Sequence, residues 1–198
     1  MILLNCVGLP NIGPYRKLIP LIYEKWDEDC LIVTLDDDTV YTHNLLSDMV
    51  SQWYKTNCVV GSRIIPLTPP NKILEGLLYS KRLSSTSAQS LYNFHTGKGG
   101  VVYHPRYFSR VGRHFFCDSS IFNKYCSTSD DIWFNLIRMV CGVDCAYCAT
   151  PYMSFDNTKH GAQLFSRFNE KSNDMIITAT AEFLESTAVA FRISTYDR

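Results

Sequence analysis

With 198 residues, 46% of them hydrophobic and 19% charged, the chain can bury one sizeable core and is too apolar to be disordered. Its 19 Lys and Arg balance its 19 Asp and Glu, so there is no positive field to gather nucleic acid or a membrane surface; anionic ligands must be held by a few placed groups or by a metal. No apolar run approaches the roughly 20 residues of a membrane span, the start lacks a basic secretory segment, and the eight scattered cysteines lack a zinc spacing.

These features predict a single domain over residues 1–198, cytoplasmic, with reduced structural thiols. Ile2–Val7 reads as a short strand before a turn at Gly8–Asn11. From Tyr15 to Trp26 the apolar residues Leu18, Leu21, Ile22 and Trp26 share one helical face. Cys30–Leu35 is apolar and rich in β-branched residues, the pattern of a central strand covered on both faces, and it ends in Asp36–Asp37–Asp38. His43–Tyr54 reads as a helix, Cys58–Ile65 as a strand and Pro66–Pro70 as a break. Ser84–Gly100 is polar and glycine-bearing, and its length predicts a mobile loop over a ligand.

Val101–Tyr103 reads as a short strand stopped by Pro105. Ser127–Ser129 offers N-caps for a helix that opens on Asp130 and Asp131 and ends at Gly142. Asp144–Ala149 is a last strand candidate, and Asp174–Ala190 has a helical pattern. Alternating helices and apolar strands predict an α/β fold with a mainly parallel sheet.

Three carboxylates at a strand's carboxyl end repel one another unless they are solvated or neutralised by a cation. Hard oxygen donors suit magnesium, manganese or calcium; the plain alternative is a solvated acidic turn. Asp130–Asp131 complements a helix dipole on its own, and supplies a carboxylate base if a metal cluster lies nearby. Arg16 and Lys17 open a helix and favour an anion such as diphosphate, although surface cations often only cover apolar side chains.

In order, Gly13–Pro14–Tyr15–Arg16–Lys17–Leu18–Ile19–Pro20, Thr34–Leu35–Asp36–Asp37–Asp38 with Tyr41, Gly99–Gly100–Val101–Val102–Tyr103–His104–Pro105, Ser129–Asp130–Asp131–Ile132–Trp133–Phe134, and Ser166–Arg167–Phe168–Asn169 with Asn173–Asp174 resemble a family of small GT-A glycosyltransferases. The resemblance implies a Rossmann-like GT-A sheet flanked by helices. It implies Mn2+ or Mg2+ on Asp36 and Asp38, a general base at Asp131 or Asp130, and diphosphate contacts from Arg16 or Lys17. Asp37, Arg63, Gly99 and Gly100 join these as donor-binding candidates. The partners implied are a nucleotide-diphosphate sugar and a hydroxyl acceptor, with inversion at the anomeric carbon. A GT-A chain begins with a strand–helix–strand unit whose first strand and loop hold the nucleotide base; here either the chain is a truncated fragment or Ile2–Val7 supplies a reduced substitute. Two alternatives remain open: a transferase-like binding module without catalysis, and a haloacid-dehalogenase-type phosphatase whose nucleophile is Asp36 and whose acid/base is Asp38.

Overall fold

The computed structural model describes residues 12–154 and 168–187. The expected strand Ile2–Val7 and the motif residues Ser166–Arg167 lie outside them. A 3-10 turn, Gly13–Lys17, leads into helix α1 (Ile19–Glu24). Strands β1 (Ile32–Thr34) and β2 (Thr39–Tyr41), helix α2 (Leu45–Thr56) and strands β3 (Val59–Gly61) and β4 (Ile64–Pro66) follow. Next come β5 (Gln89–Ser90), β6 (Asn93–His95) and β7 (Val101–Tyr103), and then the short helices α3 (Arg113–Phe116) and α4 (Ser119–Cys126). Helix α5 (Asp130–Val140), strands β8 (Cys145–Tyr147) and β9 (Tyr152–Ser154), and helix α6 (Phe168–Ser186) complete the order.

The main sheet has five strands in the order β1-β7-β3-β8-β5, with separate two-stranded ladders β2-β9 and β4-β6. The chain is thus mixed α/β, as expected, but the sheet is mostly antiparallel: β3 and β8 are its parallel neighbours, and β7 runs against both β1 and β3. Because β7 opposes both of its neighbours, β1, β3 and β8 share one direction. Their carboxyl ends and the amino end of β7 therefore meet at a single edge.

Both faces of the sheet are covered, and this accounts for the unbroken apolar runs. Successive side chains alternate between two cores. Ile32, Val59, Val101, Tyr103 and Cys145 point into the larger core with α1, α4, α5 and α6. Val60, Val102 and Ala146 point into a smaller one, against Leu45 and Met49 of α2. A buried strand of this kind has no alternation to betray its direction, and the expectation of a mainly parallel sheet fails for that reason.

Other boundaries move for local reasons. The helix expected over Tyr15–Trp26 is split at Leu18, because an α-helix through Pro20 would set its ring against the Arg16 carbonyl. The turn keeps its place through Tyr15, which is fully buried, stacks on Phe122 at 3.9 Å and donates its hydroxyl to the Cys126 carbonyl. The stretch Ser84–Gly100, expected as one loop, contains β5 and β6 and is largely buried from Asn93 onward. Helix α5 ends in a Schellman motif: Gly142 takes a φ of 71°, its N–H donates to the Met139 carbonyl, and the Val143 N–H reaches the Arg138 carbonyl.

None of the seven described cysteines is in a disulfide, and burial pushes the Cys141 and Cys145 thiols up to about 12. Among the described residues no helix is long and apolar enough to cross a membrane.

Candidate active site

Side chains remote in sequence meet at the edge where β1, β3 and β8 end. Asp36 follows β1, and its backbone N–H donates to the Tyr41 hydroxyl at 2.8 Å, which ties the acidic turn to β2. Lys17 leaves the end of the 3-10 turn and places its ammonium among three carboxylates. Its Nζ is 3.0 Å from Asp130 Oδ2, 3.8 Å from Asp36 Oδ1 and 3.9 Å from Asp131 Oδ1. Burial opposes the ammonium, but Asp131, Asp130 and Asp36 outweigh it and hold the Lys17 pKa above the ordinary lysine value.

The acidic pair opens α5 at the same spot. Asp130 is turned inward; burial raises its pKa and Lys17 counters the rise. Asp131 keeps 28% of its side chain exposed, against 9% for Asp130. It also accepts the Gly97 N–H with both oxygens, at 3.0 and 3.2 Å. A helix N-terminus favours an ionised carboxylate and on its own would lower the Asp131 pKa. Burial first, and then the neighbouring Asp130, override the dipole and raise it to about 7.

The third wall is the 96–100 loop. The Ser62 hydroxyl donates to the Gly99 carbonyl, and the Ser62 N–H donates to the Gly100 carbonyl at 3.3 Å. Gly100 has a φ of 95°, and a Cβ there would meet Leu35 Cδ2 at 3.0 Å, so only glycine fits beside the acidic turn. Gly97 lies closest to the charges. A Cβ on it would collide with Lys17 Nζ and come within 3.4 Å of Asp131 Oδ1 and 3.5 Å of Asp36 Oδ1. Gly97→Ala is expected to fold, with Tm held within about 4 °C, because only the end of a flexible lysine must move. With that cation displaced, Asp131 should titrate above 7. An NMR titration of the Asp131 carboxyl that matched wild type would disprove the placement of Lys17.

Asn135 and Arg138, which no sequence motif singled out, fix β6 to α5 and hence position this loop. Asn135 Oδ1 accepts the His95 N–H at 3.1 Å, and its Nδ2 donates to the His95 and Asp131 carbonyls at 2.8 Å each. The fully buried Arg138 donates to the carbonyls of Leu91, Asn93 and Val143 and to Asn135 Oδ1. Burial, with Arg138 and Lys17 nearby, keeps His95 neutral.

The structure therefore brings Lys17, Asp36, Asp130, Asp131 and the Gly97–Gly100 loop together. Arg16 is exposed and forms no ion pair with these carboxylates. Asp37 and Asp38 are exposed, and Asp38 Oδ1 accepts the Thr39 hydroxyl at 3.3 Å. Arg63 lies across the 96–100 loop, where its carbonyl accepts the Thr96 N–H. In kind, the oxygens of Asp36 and Asp38 suit a hard cation. Among the described residues no three His, Cys, Asp or Glu side chains form a ready metal cage. Two carboxylates are nonetheless an ordinary protein contribution where substrate phosphates complete the shell.

Fold and site together define a mixed α/β protein with a lysine-bridged acidic cluster at the shared carboxyl edge of its strands. No family model matches the chain, and neither a curated protein nor a solved structure matches it.

Proposed function

We propose that the chain is a cytoplasmic, metal-dependent glycosyltransferase of the GT-A type, moving a hexose from a nucleotide-diphosphate sugar to an acceptor hydroxyl. One observation carries this reading: Lys17, Asp36 and Asp131, from three separate motif segments, converge on one spot, and Gly97, just ahead of the Gly99–Pro105 segment, joins them. The Rossmann-like GT-A sheet belongs to the same proposal; the shared direction of β1, β3 and β8 supports it.

In this reading Asp36 and Asp38 hold Mn2+ or Mg2+, which when bound supplies positive charge against the departing diphosphate. The Lys17 ammonium is a second positive charge at that place. Asp131 is the base, since its carboxylate is the more exposed of the pair and is poised near neutral pH. It takes the acceptor's hydroxyl proton as the oxygen bonds to the anomeric carbon. The bond from that carbon to the diphosphate oxygen breaks, and the configuration inverts. The phosphatase alternative is disfavoured, because Asp130–Asp131 opens a helix instead of following a strand.

The test is transfer of labelled sugar from a panel of nucleotide sugars with and without manganese, joined to calorimetric titration. Asp36→Asn and Asp38→Asn are expected to weaken manganese-dependent binding of a nucleoside diphosphate by at least about tenfold, with the fold unchanged. Equal affinity in both variants refutes the metal assignment. Nucleotide binding without transfer to any acceptor favours the binding-module alternative.

A further inference from the structure

A second polar hollow lies against Ser62 and Arg63, which hold the 96–100 loop by hydrogen bonds. It is a cleft of about 400 Å³ lined by Ser62, Arg63, Ile64, Thr86, Tyr147, Thr150 and Pro151. Its floor is the carboxyl end of the β3-β8 parallel pair, where Gly61 faces Tyr147 across the ladder. Open α/β sheets bind ligands beyond such ends. Its size falls within the usual range of small-molecule sites.

Two features set the chemistry of what fits. The first is Arg63. Arg106 is engaged by Asn57 and Asp29, Arg113 by Asp27 and Arg138 by buried carbonyls. The Arg63 guanidinium has no ion pair or hydrogen bond among the described residues, and it is exposed. Its backbone is nonetheless held firmly, since Ser62–Arg63 is the whole connection between β3 and β4 and the Arg63 carbonyl accepts the Thr96 N–H at 3.1 Å. A fork of donors on a held backbone, with no partner among the described residues, suits a carboxylate or phosphate. The second is Tyr147, a lining residue that is 39% exposed while its N–H donates to the Ala88 carbonyl. An exposed ring of this kind offers an apolar platform beside the hydroxyls of Ser62, Thr86 and Thr150.

We propose that this cleft is the subsite for an acidic sugar unit of the acceptor, with its carboxylate or phosphate on Arg63 and its ring face on Tyr147. The assignment of the cleft to the acceptor rests on the transferase reading; the binding of an acidic sugar does not. The 96–100 loop links the cleft to the carboxylate cluster, because Thr96 bonds the Arg63 carbonyl and Gly97 bonds Asp131. In this proposal the acceptor extends from the cleft along this loop towards Asp131.

The experiment titrates the full chain, without donor or metal, with methyl β-glucuronide, glucose 6-phosphate and methyl β-glucoside. At least one acidic sugar is expected to bind about tenfold or more tightly than the neutral glucoside, since a charge-assisted bond to a guanidinium is among the stronger ones. Which acidic sugar binds more tightly distinguishes a carboxylate from a phosphate. Arg63→Gln should abolish the preference, Lys171→Gln at an exposed position of α6 should retain it, and Tyr147→Ala should weaken all three sugars alike. A wild type with no preference for acidic sugars, or an Arg63→Gln variant that keeps the preference, overturns the proposal. So does a preference lost equally in Lys171→Gln, while unchanged binding in Tyr147→Ala overturns the ring contact. Because no turnover enters the titration, the cleft and the transferase activity fail or stand separately.

Discussion

Asp131→Asn is expected to lower sugar transfer by about 10²–10⁴-fold while nucleotide binding survives, the usual loss when a general base is removed. The same substitution should make the protein more stable at pH 8. A carboxyl whose pKa rises on folding, here from 3.8 to about 7, binds its proton more tightly in the folded chain than in the unfolded one. Stability then falls as pH climbs between those two values and stays low above them. An uncharged amide escapes this cost, so the Tm advantage of Asp131→Asn should be present at pH 8 and shrink towards zero near pH 4. Asp130→Asn should cost transfer less, since Asp130 is turned inward onto Lys17. The assignment fails if Asp130→Asn is the more damaging change for turnover, or if neither substitution slows transfer. A Tm difference that does not vary with pH would show that Asp131 ionises as freely in the folded chain as in water.

The largest structural loss is expected at Arg138. Arg138→Met keeps the length of the side chain but strips donors from the Leu91, Asn93 and Val143 carbonyls and from Asn135 Oδ1. Each buried acceptor left without a partner costs about 1–3 kcal/mol, and the losses share one network, so a total of about 3–5 kcal/mol is expected. In a domain of this size that lowers Tm by roughly 6–20 °C. Arg138→Lys should recover little, because one ammonium cannot span acceptors on both sides of the helix end. A Tm within about 2 °C of wild type in Arg138→Met would show that the network is dispensable.

The site was legible in the sequence where its chemistry is written in consecutive residues. Asp36 at the end of an apolar strand and Asp130–Asp131 at a helix start are local patterns, and the structure places them at one edge. Lys17 was visible as a cation on a turn, but its pairing with three carboxylates depends on chain reversals that no local pattern encodes. The polar strand β6 was hidden for a different reason. Asn93 and His95 are hydrophilic by type, yet both are buried, and their backbone or side-chain groups are met by Arg138, Asn135 and the Cys145 carbonyl. Hydropathy reads such residues as loop, so Ser84–Gly100 looked mobile. Direction within the sheet was hidden because Val101–Tyr103 is apolar on both faces and would look the same whichever way it ran.

The insertion of β7 between β1 and β3 also dictates when the sheet can close. During synthesis β1 and β3 leave the ribosome first, and neither can pair with the other, because the slot between them is reserved for a strand still to be made. Until Val101–Tyr103 emerge the facing edges of β1 and β3 stand open, and β3 keeps its other edge open until Cys145–Tyr147 follow; such edges invite pairing with other chains. Closure waits on contacts that span many residues, which slows folding relative to a sheet of simple hairpins. Nascent chains stalled before residue 101 are therefore the species most exposed to aggregation, and the ones on which a chaperone would act.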